Sequence, residues 1–142
     1  MDKYSVIGKR VPRFDSKEKV MGYGKYAADF SMPGMLWCKV ARASVPHAKI
    51  LNIDTSRAER LPGVKAVITG KDFGGWTWGF MANTRDESPL AVDKVRYLYE
   101  GVAAVAAIDE DIAEEACELI KVDYKELPGV FDQISYHNLA LR

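Results

Sequence analysis

The chain has 142 residues, 48% of them hydrophobic and 28% charged, with twenty basic side chains against twenty acidic ones. That length sets a single domain large enough to bury a core without disulfide or metal staples. The balanced charge gives no broad field for collecting phosphates, which argues against a nucleic-acid partner. No stretch approaches the ~20 apolar residues that cross a bilayer. The opening Met1-Asp2-Lys3-Tyr4-Ser5 lacks the apolar run of a signal peptide, so a reducing cytoplasm is the expected location, with no membrane partner. The two cysteines, Cys38 and Cys117, have apolar neighbours. A disulfide or a pair of metal ligands is the functional alternative, and two buried thiols acting as small hydrophobes is the expectation.

Residues 1–30 are polar and are broken by Pro12, Gly22 and Gly24, and they read as an extended arm with turns. Pro33-Gly34 turns the chain into a mostly buried strand over Met35–Ala41. Ala48–Ile53 is a second short strand. Asp54 caps a short helix through Arg60, which Leu61-Pro62-Gly63 stops. Val64–Thr69 is a β-branched third strand closed by Gly70. Residues 71–90 then form a loop of roughly twenty residues, longer than compact domains carry without a purpose.

Val95, Tyr97 and Tyr99 alternate with Arg96 and Leu98, the pattern of a half-buried strand. The run Val102–Ile108 is apolar on both faces and belongs in the middle of a covered sheet. A helix follows, capped by Asp109 or Asp111, with Ile112, Ala113, Ala116 and Cys117 on one face and Glu114, Glu115 and Glu118 on the other. Ile120, Val122 and Tyr124 mark a last strand, ended by Leu127-Pro128-Gly129.

Catalytic arrangements are hard to find. His47 and His137 have no ligand neighbours at helical spacing, and His47, after Pro46, suits a structural hydrogen bond in a turn. Gly22-Tyr23-Gly24 is a GxG with no strand before it and no third glycine. The acidic group Asp109, Glu110, Asp111, Glu114 and Glu115 is accounted for by a helix N-terminus. Ser44 and Ser88 have no base near them in sequence, which argues against an independent hydrolase. Gly74-Gly75-Trp76-Thr77-Trp78-Gly79-Phe80-Met81 is the unusual segment, with four large apolar side chains in a loop. It either faces outward as an interface or ligand groove, or folds back to cap the sheet.

Four segments in order resemble one family. They are Gly8-Lys9-Arg10-Val11-Pro12-Arg13 with Asp15, Lys19, Gly22, Tyr26 and Asp29; Pro33–Trp37 through Arg42 with Pro46–Ile50 and Ile53-Asp54; Leu61–Val64 with Ala66–Gly70 and Asp72; and Pro89-Leu90-Ala91 with Asp93–Tyr97, Val102–Ala107 and Val122–Pro128. Together they look like the N-terminal α/β-hammerhead domain of the molybdenum hydroxylase large subunit, the family of xanthine dehydrogenases, aldehyde oxidases, the carbon monoxide dehydrogenase large chain and 4-hydroxybenzoyl-CoA reductase. The chain departs from the family at three turns. Met21-Gly22-Tyr23-Gly24 stands for Thr-Gly-x-Ala, Tyr99-Glu100-Gly101-Val102 for Gly-Glu-Pro-Val, and Arg42-Ala43-Ser44 for Arg-Ser-Pro.

The resemblance implies an α+β fold, with a mixed sheet, one longer and one shorter helix, and an N-terminal arm. It divides the chain into the arm (1–30), the hammerhead domain (31–133) and a tail (134–142) leading toward a molybdenum-binding region. It also implies that the molybdenum–pterin cofactor and the catalytic glutamate lie in that larger region, with iron–sulfur clusters and usually FAD on partner domains or subunits. This stretch would then be a non-catalytic scaffold. By the same resemblance Trp76, Trp78, Phe80 and Met81 would line the substrate funnel or an interface, with Arg85 and Asp86 as a solvated rim. The implied parent substrate is aromatic or heteroaromatic, such as 4-hydroxybenzoyl-CoA or a purine. The alternative is a free-standing binding module that grips an apolar ligand with Trp76–Met81. An isolated fragment with a bare docking face is also expected to self-associate.

Overall fold

The computed structural model describes residues 4–81 and 83–132, and the tail 134–142 and His137 lie outside them. The chain divides between Pro33 and Gly34 into two compact units.

The first unit is not wholly extended. Helix α1 (Ser16–Val20) forms one turn after Asp15. The Asp15 carboxylate accepts from Arg13 Nε and Nη2 at 3.0 Å each and pairs with Lys19 Nζ at 2.6 Å. Those two cations hold its carboxyl below the usual range. A five-residue helix fixed by charges has no apolar period, so pattern reading passes over it. Nothing in α1 is buried, and Phe14 is 99% exposed.

The second unit contains β1 (Trp37–Arg42), β2 (Ala48–Asp54), α2 (Ser56–Glu59), β3 (Val64–Thr69), β4 (Lys94–Val95), β5 (Gly101–Ala107), α3 (Glu110–Leu119) and β6 (Lys121–Glu126). The class is α+β, as expected. Instead of one mixed sheet there are two three-stranded sheets, ordered β1-β5-β3 and β4-β2-β6, and every pairing is antiparallel. Consecutive strands β1 and β2 fall in different sheets, so no crossover sets neighbours parallel.

The doubly apolar run is the central strand β5, with Val102, Ala103, Ala104 and Val105 buried. Helix α3 starts where the chain supplies a cap: the Asp109 carboxylate accepts from the Asp111 N–H at 2.9 Å. Its buried positions, Ala113 and Ala116, lie on the predicted face. Ala116 packs with Val105 and Ala58 of α2, flanked by Leu61, Val64 and Val67. A second cluster joins the sheets through Ala43, Ala91, Val95 and Val102, with Ile50, Ile53, Val122 and Tyr124 against them. No buried side chain in either cluster is larger than valine.

Two expectations are corrected. The strand over 95–99 stops at Val95, and Tyr97, Leu98 and Tyr99 are 61%, 48% and 62% exposed. Tyr99 has a left-handed backbone (φ 66°), which turns the chain before β5 and ends the alternation. Cys38 is exposed rather than buried, because β1 alternation points it away from α3, and Cys117 is half-buried; both thiols are free. No helix of the described residues is long and apolar enough to cross a membrane.

Candidate functional site

The segment after β3 begins in a tight turn, Gly70–Phe73. The Asp72 carboxylate accepts from the Thr69 N–H at 2.6 Å and from the Thr69 hydroxyl at 3.0 Å, and those two donors hold its carboxyl below the usual range. Gly70 sits directly under the Leu90–Ala91 backbone, where a Cβ would collide with the Ala91 carbonyl. The far end of the loop is thereby clamped back over its start. Both ends of 71–90 are fixed, and the middle is free to project.

The middle is a narrow hairpin. Trp78 N–H donates to the Glu87 carbonyl at 2.8 Å, and Glu87 N–H returns a bond to the Trp78 carbonyl at 3.1 Å. The Thr84 N–H bonds the Met81 carbonyl at 3.0 Å, and the Thr84 hydroxyl lies 3.2 Å from both the Met81 N–H and its carbonyl. Gly79 faces the Thr84 carbonyl so closely that any side chain there would clash. This packing explains Gly79: only glycine lets the two arms of the tip meet.

The result is an aromatic tip presented outward. Trp76 is 59% exposed, Trp78 49%, Phe80 96% and Met81 59%. Of the two readings of this loop, the one in which it folds back to cap the sheet does not hold. Arg85 and Asp86 are exposed at the same end. A hairpin with an exposed phenyl ring near its tip can fill an apolar slot or wall a channel.

Other sequence candidates have structural roles. His47 Nδ1 donates to the Pro128 carbonyl at 2.7 Å, and Leu127 N–H donates to the His47 carbonyl at 2.9 Å, which ties the end of β6 to the start of β2. Glu110 and Asp111 occupy the first turn of α3, where carboxylates complement the helix dipole. Glu110 also binds Lys39 of β1 at 2.7 Å, and the bond raises the Lys39 pKa. Gly22 (φ 74°) follows the end of α1 and bonds the Lys19 carbonyl. Burial raises the Cys117 thiol, so it stays protonated and unreactive.

Sequence reading missed one feature, an open cleft of about 870 Å³ between His47, Lys94, Arg96, Tyr97, Pro128 and Phe131. It exists because the chain leaves the sheet after Val95, which the alternating pattern had concealed. Its Arg96 guanidinium already faces Asp93 and Glu100 at 3.8 and 3.9 Å.

Among the described residues no group of three or more His, Cys, Asp and Glu is placed to hold a metal ion, and no polar or charged residue is buried. The described residues do not fit a molybdenum–pterin group.

Comparison with known proteins agrees with this architecture. The nicotinate dehydrogenase large molybdopterin subunit of Eubacterium barkeri is 43% identical over 128 residues, covering 90% of this chain and 30% of that protein. A probable xanthine dehydrogenase component from Bacillus subtilis is 49% identical over 115 residues, covering 81% of this chain and 15% of that one. The carbon monoxide dehydrogenase of Oligotropha carboxidovorans superposes with a TM-score of 0.80 at 37% identity, covering 90% of this chain and 16% of that chain. The chain therefore spans less than a third of the length of each of these relatives. The family model described as "Aldehyde oxidase and xanthine dehydrogenase, a/b hammerhead domain" matches residues 21–128, and the chain belongs to that family.

Proposed function

We propose that this chain is the non-catalytic N-terminal part of a molybdopterin-dependent oxidoreductase large subunit. It braces the molybdenum-binding region and lends one wall to the substrate funnel. The observation that carries the reading is the Trp78–Glu87 hairpin, whose cross-bonded backbone holds Phe80 almost wholly in solvent. An exposed ring on a cross-bonded hairpin has little use in a free-standing globule, and it suits a channel that grips flat apolar substrates by contact area. Trp76, Trp78, Phe80 and Met81 form that wall, with Arg85 and Asp86 at its rim.

The redox chemistry belongs to molybdenum held by a pterin elsewhere in the subunit, with iron–sulfur clusters and FAD on partner domains or subunits, all in the cytoplasm. Alone, the stretch is inactive. We keep the division into arm (1–30), hammerhead domain (31–133) and tail (134–142) as part of this proposal; the break between Pro33 and Gly34 lies close to its first boundary. The proposed substrate is aromatic or heteroaromatic. Two relatives named for nicotinate and xanthine support the heteroaromatic class, whereas 4-hydroxybenzoyl-CoA rests on the sequence resemblance alone.

The test is Phe80→Ala and Trp78→Ala in the large subunit that carries this stretch, assayed with xanthine and with nicotinate. We expect unchanged molybdenum content and a KM raised about ten-fold with kcat nearly kept, the signature of lost uniform binding. Unchanged kinetics in both variants with a substrate that turns over would remove the loop from the funnel.

A further inference from the structure

The sheet β4-β2-β6 carries three lysines in one row. Lys94 stands opposite Lys49, and Lys49 stands opposite Lys125. Residues directly opposite in an antiparallel sheet share a face, and strands lie about 4.8 Å apart, so the row spans about 10 Å of one surface. The neighbouring row settles which surface it is. Ala48 and Val95, opposite each other, are wholly buried, so the lysines point away from the core. Like charges set directly opposite destabilise a sheet. Arg13, Lys19 and Lys39 each meet a carboxylate, whereas none of the three lysines has an ion pair with a described residue. Asp123, the nearest acid along β6, stands opposite Asn52.

Lys94 also lines the open cleft of about 870 Å³, so the row runs into it. Arg96 at the same end is shared with Asp93 and Glu100, and His47 is committed to the Pro128 carbonyl. The uncompensated charge is therefore that of the lysines. Asp132 is a further acid in the cleft wall, and Tyr97, Leu98, Val130 and Phe131 make the wall largely apolar. Tyr97 and Phe131 are 61% and 83% exposed. The Phe131 ring lies across Gly129, where a Cβ would meet it at 2.7 Å, so glycine is what lets the ring close that side. Small-molecule sites are apolar clefts of about 300–1,000 Å³ with a few convergent polar groups, and this one has that form.

We propose that the cleft and the lysine row form one binding site for an aromatic small molecule bearing adjacent anionic groups, the class of a nucleoside di- or triphosphate. The ring stacks on Tyr97 and Phe131, and the phosphates lie along Lys94, Lys49 and Lys125. A simple anion leaves the aromatic wall unused, and an uncharged ring leaves the lysines uncompensated; only a ligand with both parts answers both. The chain has no net charge, so the attraction is local to this row. A nucleic-acid strand needs a longer basic track than three lysines supply. The site is independent of the aromatic hairpin and stands or falls without it.

The test is calorimetric titration of the 142-residue chain with ADP, pyrophosphate and adenosine at low salt and without divalent metal. We expect ADP to bind about ten-fold more tightly than either part alone, since ring stacking adds to the charge contacts. Phe131→Ala should weaken ADP about ten-fold and leave pyrophosphate unchanged. Lys49→Gln should weaken both about three-fold, the scale of one exposed charge contact, and Lys65→Gln on the other sheet should weaken neither. All three side chains are exposed, so the fold is kept. No ADP binding at about 1 mM would overturn the proposal, as would ADP affinity unchanged in both Phe131→Ala and Lys49→Gln. A hexaglutamate peptide that binds more tightly than ADP and ignores Phe131→Ala would assign the row to an acidic protein segment and refute the small-molecule site.

Discussion

Tyr99 is the residue with the least comfortable backbone. Its φ of 66° lies where a side chain costs about 1 kcal/mol, and its ring is 62% exposed, so little burial compensates. The turn is held from outside instead: Tyr99 N–H bonds the Ala43 carbonyl at 3.1 Å, and Arg42 Nη1 bonds the Tyr99 carbonyl at 3.0 Å. Tyr99→Gly is expected to leave the urea midpoint unchanged or raise it by an amount worth no more than about 0.6 kcal/mol, because the entropy that glycine adds to the unfolded chain offsets most of the strain relieved. A lower midpoint would show that the ring does more than hang in solvent. Asp72 makes a second residue-level prediction. Its folded carboxyl lies below the ordinary value of 3.8, so its stabilisation is present above that value and is lost as pH falls through the folded pKa. Asp72→Asn should therefore destabilise the chain at neutral pH. The gap between variant and parent in urea melts should close on the acid side of the ordinary carboxylate range. A gap that persists at low pH would put the effect in packing rather than charge.

Among the elements, α3 and β5 were the most legible. A seven-residue apolar run between Gly101 and Asp109 has the length of a covered strand, and the period of Ile112, Ala113, Ala116 and Cys117 is that of a helix with one buried face. The pattern left the cap open between Asp109 and Asp111, and the bond from the Asp111 N–H to the Asp109 carboxylate assigns it to Asp109. Asp109→Ala is expected to cost about 1 kcal/mol in thermal or urea unfolding, because the Asp111 N–H loses its acceptor. A cost near zero would mean that water replaces the cap without penalty. The strand read over 95–99 failed for a physical reason: alternation is a weak signal over five residues, and a left-handed turn at Tyr99 outweighs it. Helix α1 escaped because charge pairs around Asp15 fix it, and apolar period plays no part. The candidate site was half legible. Trp76, Trp78, Phe80 and Met81 stood out as misplaced apolar bulk, but nothing in their order revealed the close approach of Gly79 to Thr84 that brings the two arms of the tip together.

Among the described residues, the fully buried side chains are small and many of the large apolar ones are exposed. The buried hydrophobic set is mostly alanine, with Val95, Val102 and Val105 its largest fully buried members, while aromatic rings such as Phe14, Trp76, Trp78 and Phe80 are exposed. A self-sufficient domain buries its aromatics first, because they remove the most apolar area from water. This inversion is what a structural part of a larger subunit should show, and it joins the outward hairpin in one account. The most direct test is elemental analysis of molybdenum in two purified products, the 142-residue chain and the large subunit that contains it. The account predicts molybdenum near one per large subunit and none in the short chain. Stoichiometric molybdenum in the short chain would contradict it. A chain with no molybdenum region joined to it would do the same, and would leave the aromatic hairpin as the grip of a free-standing binding module.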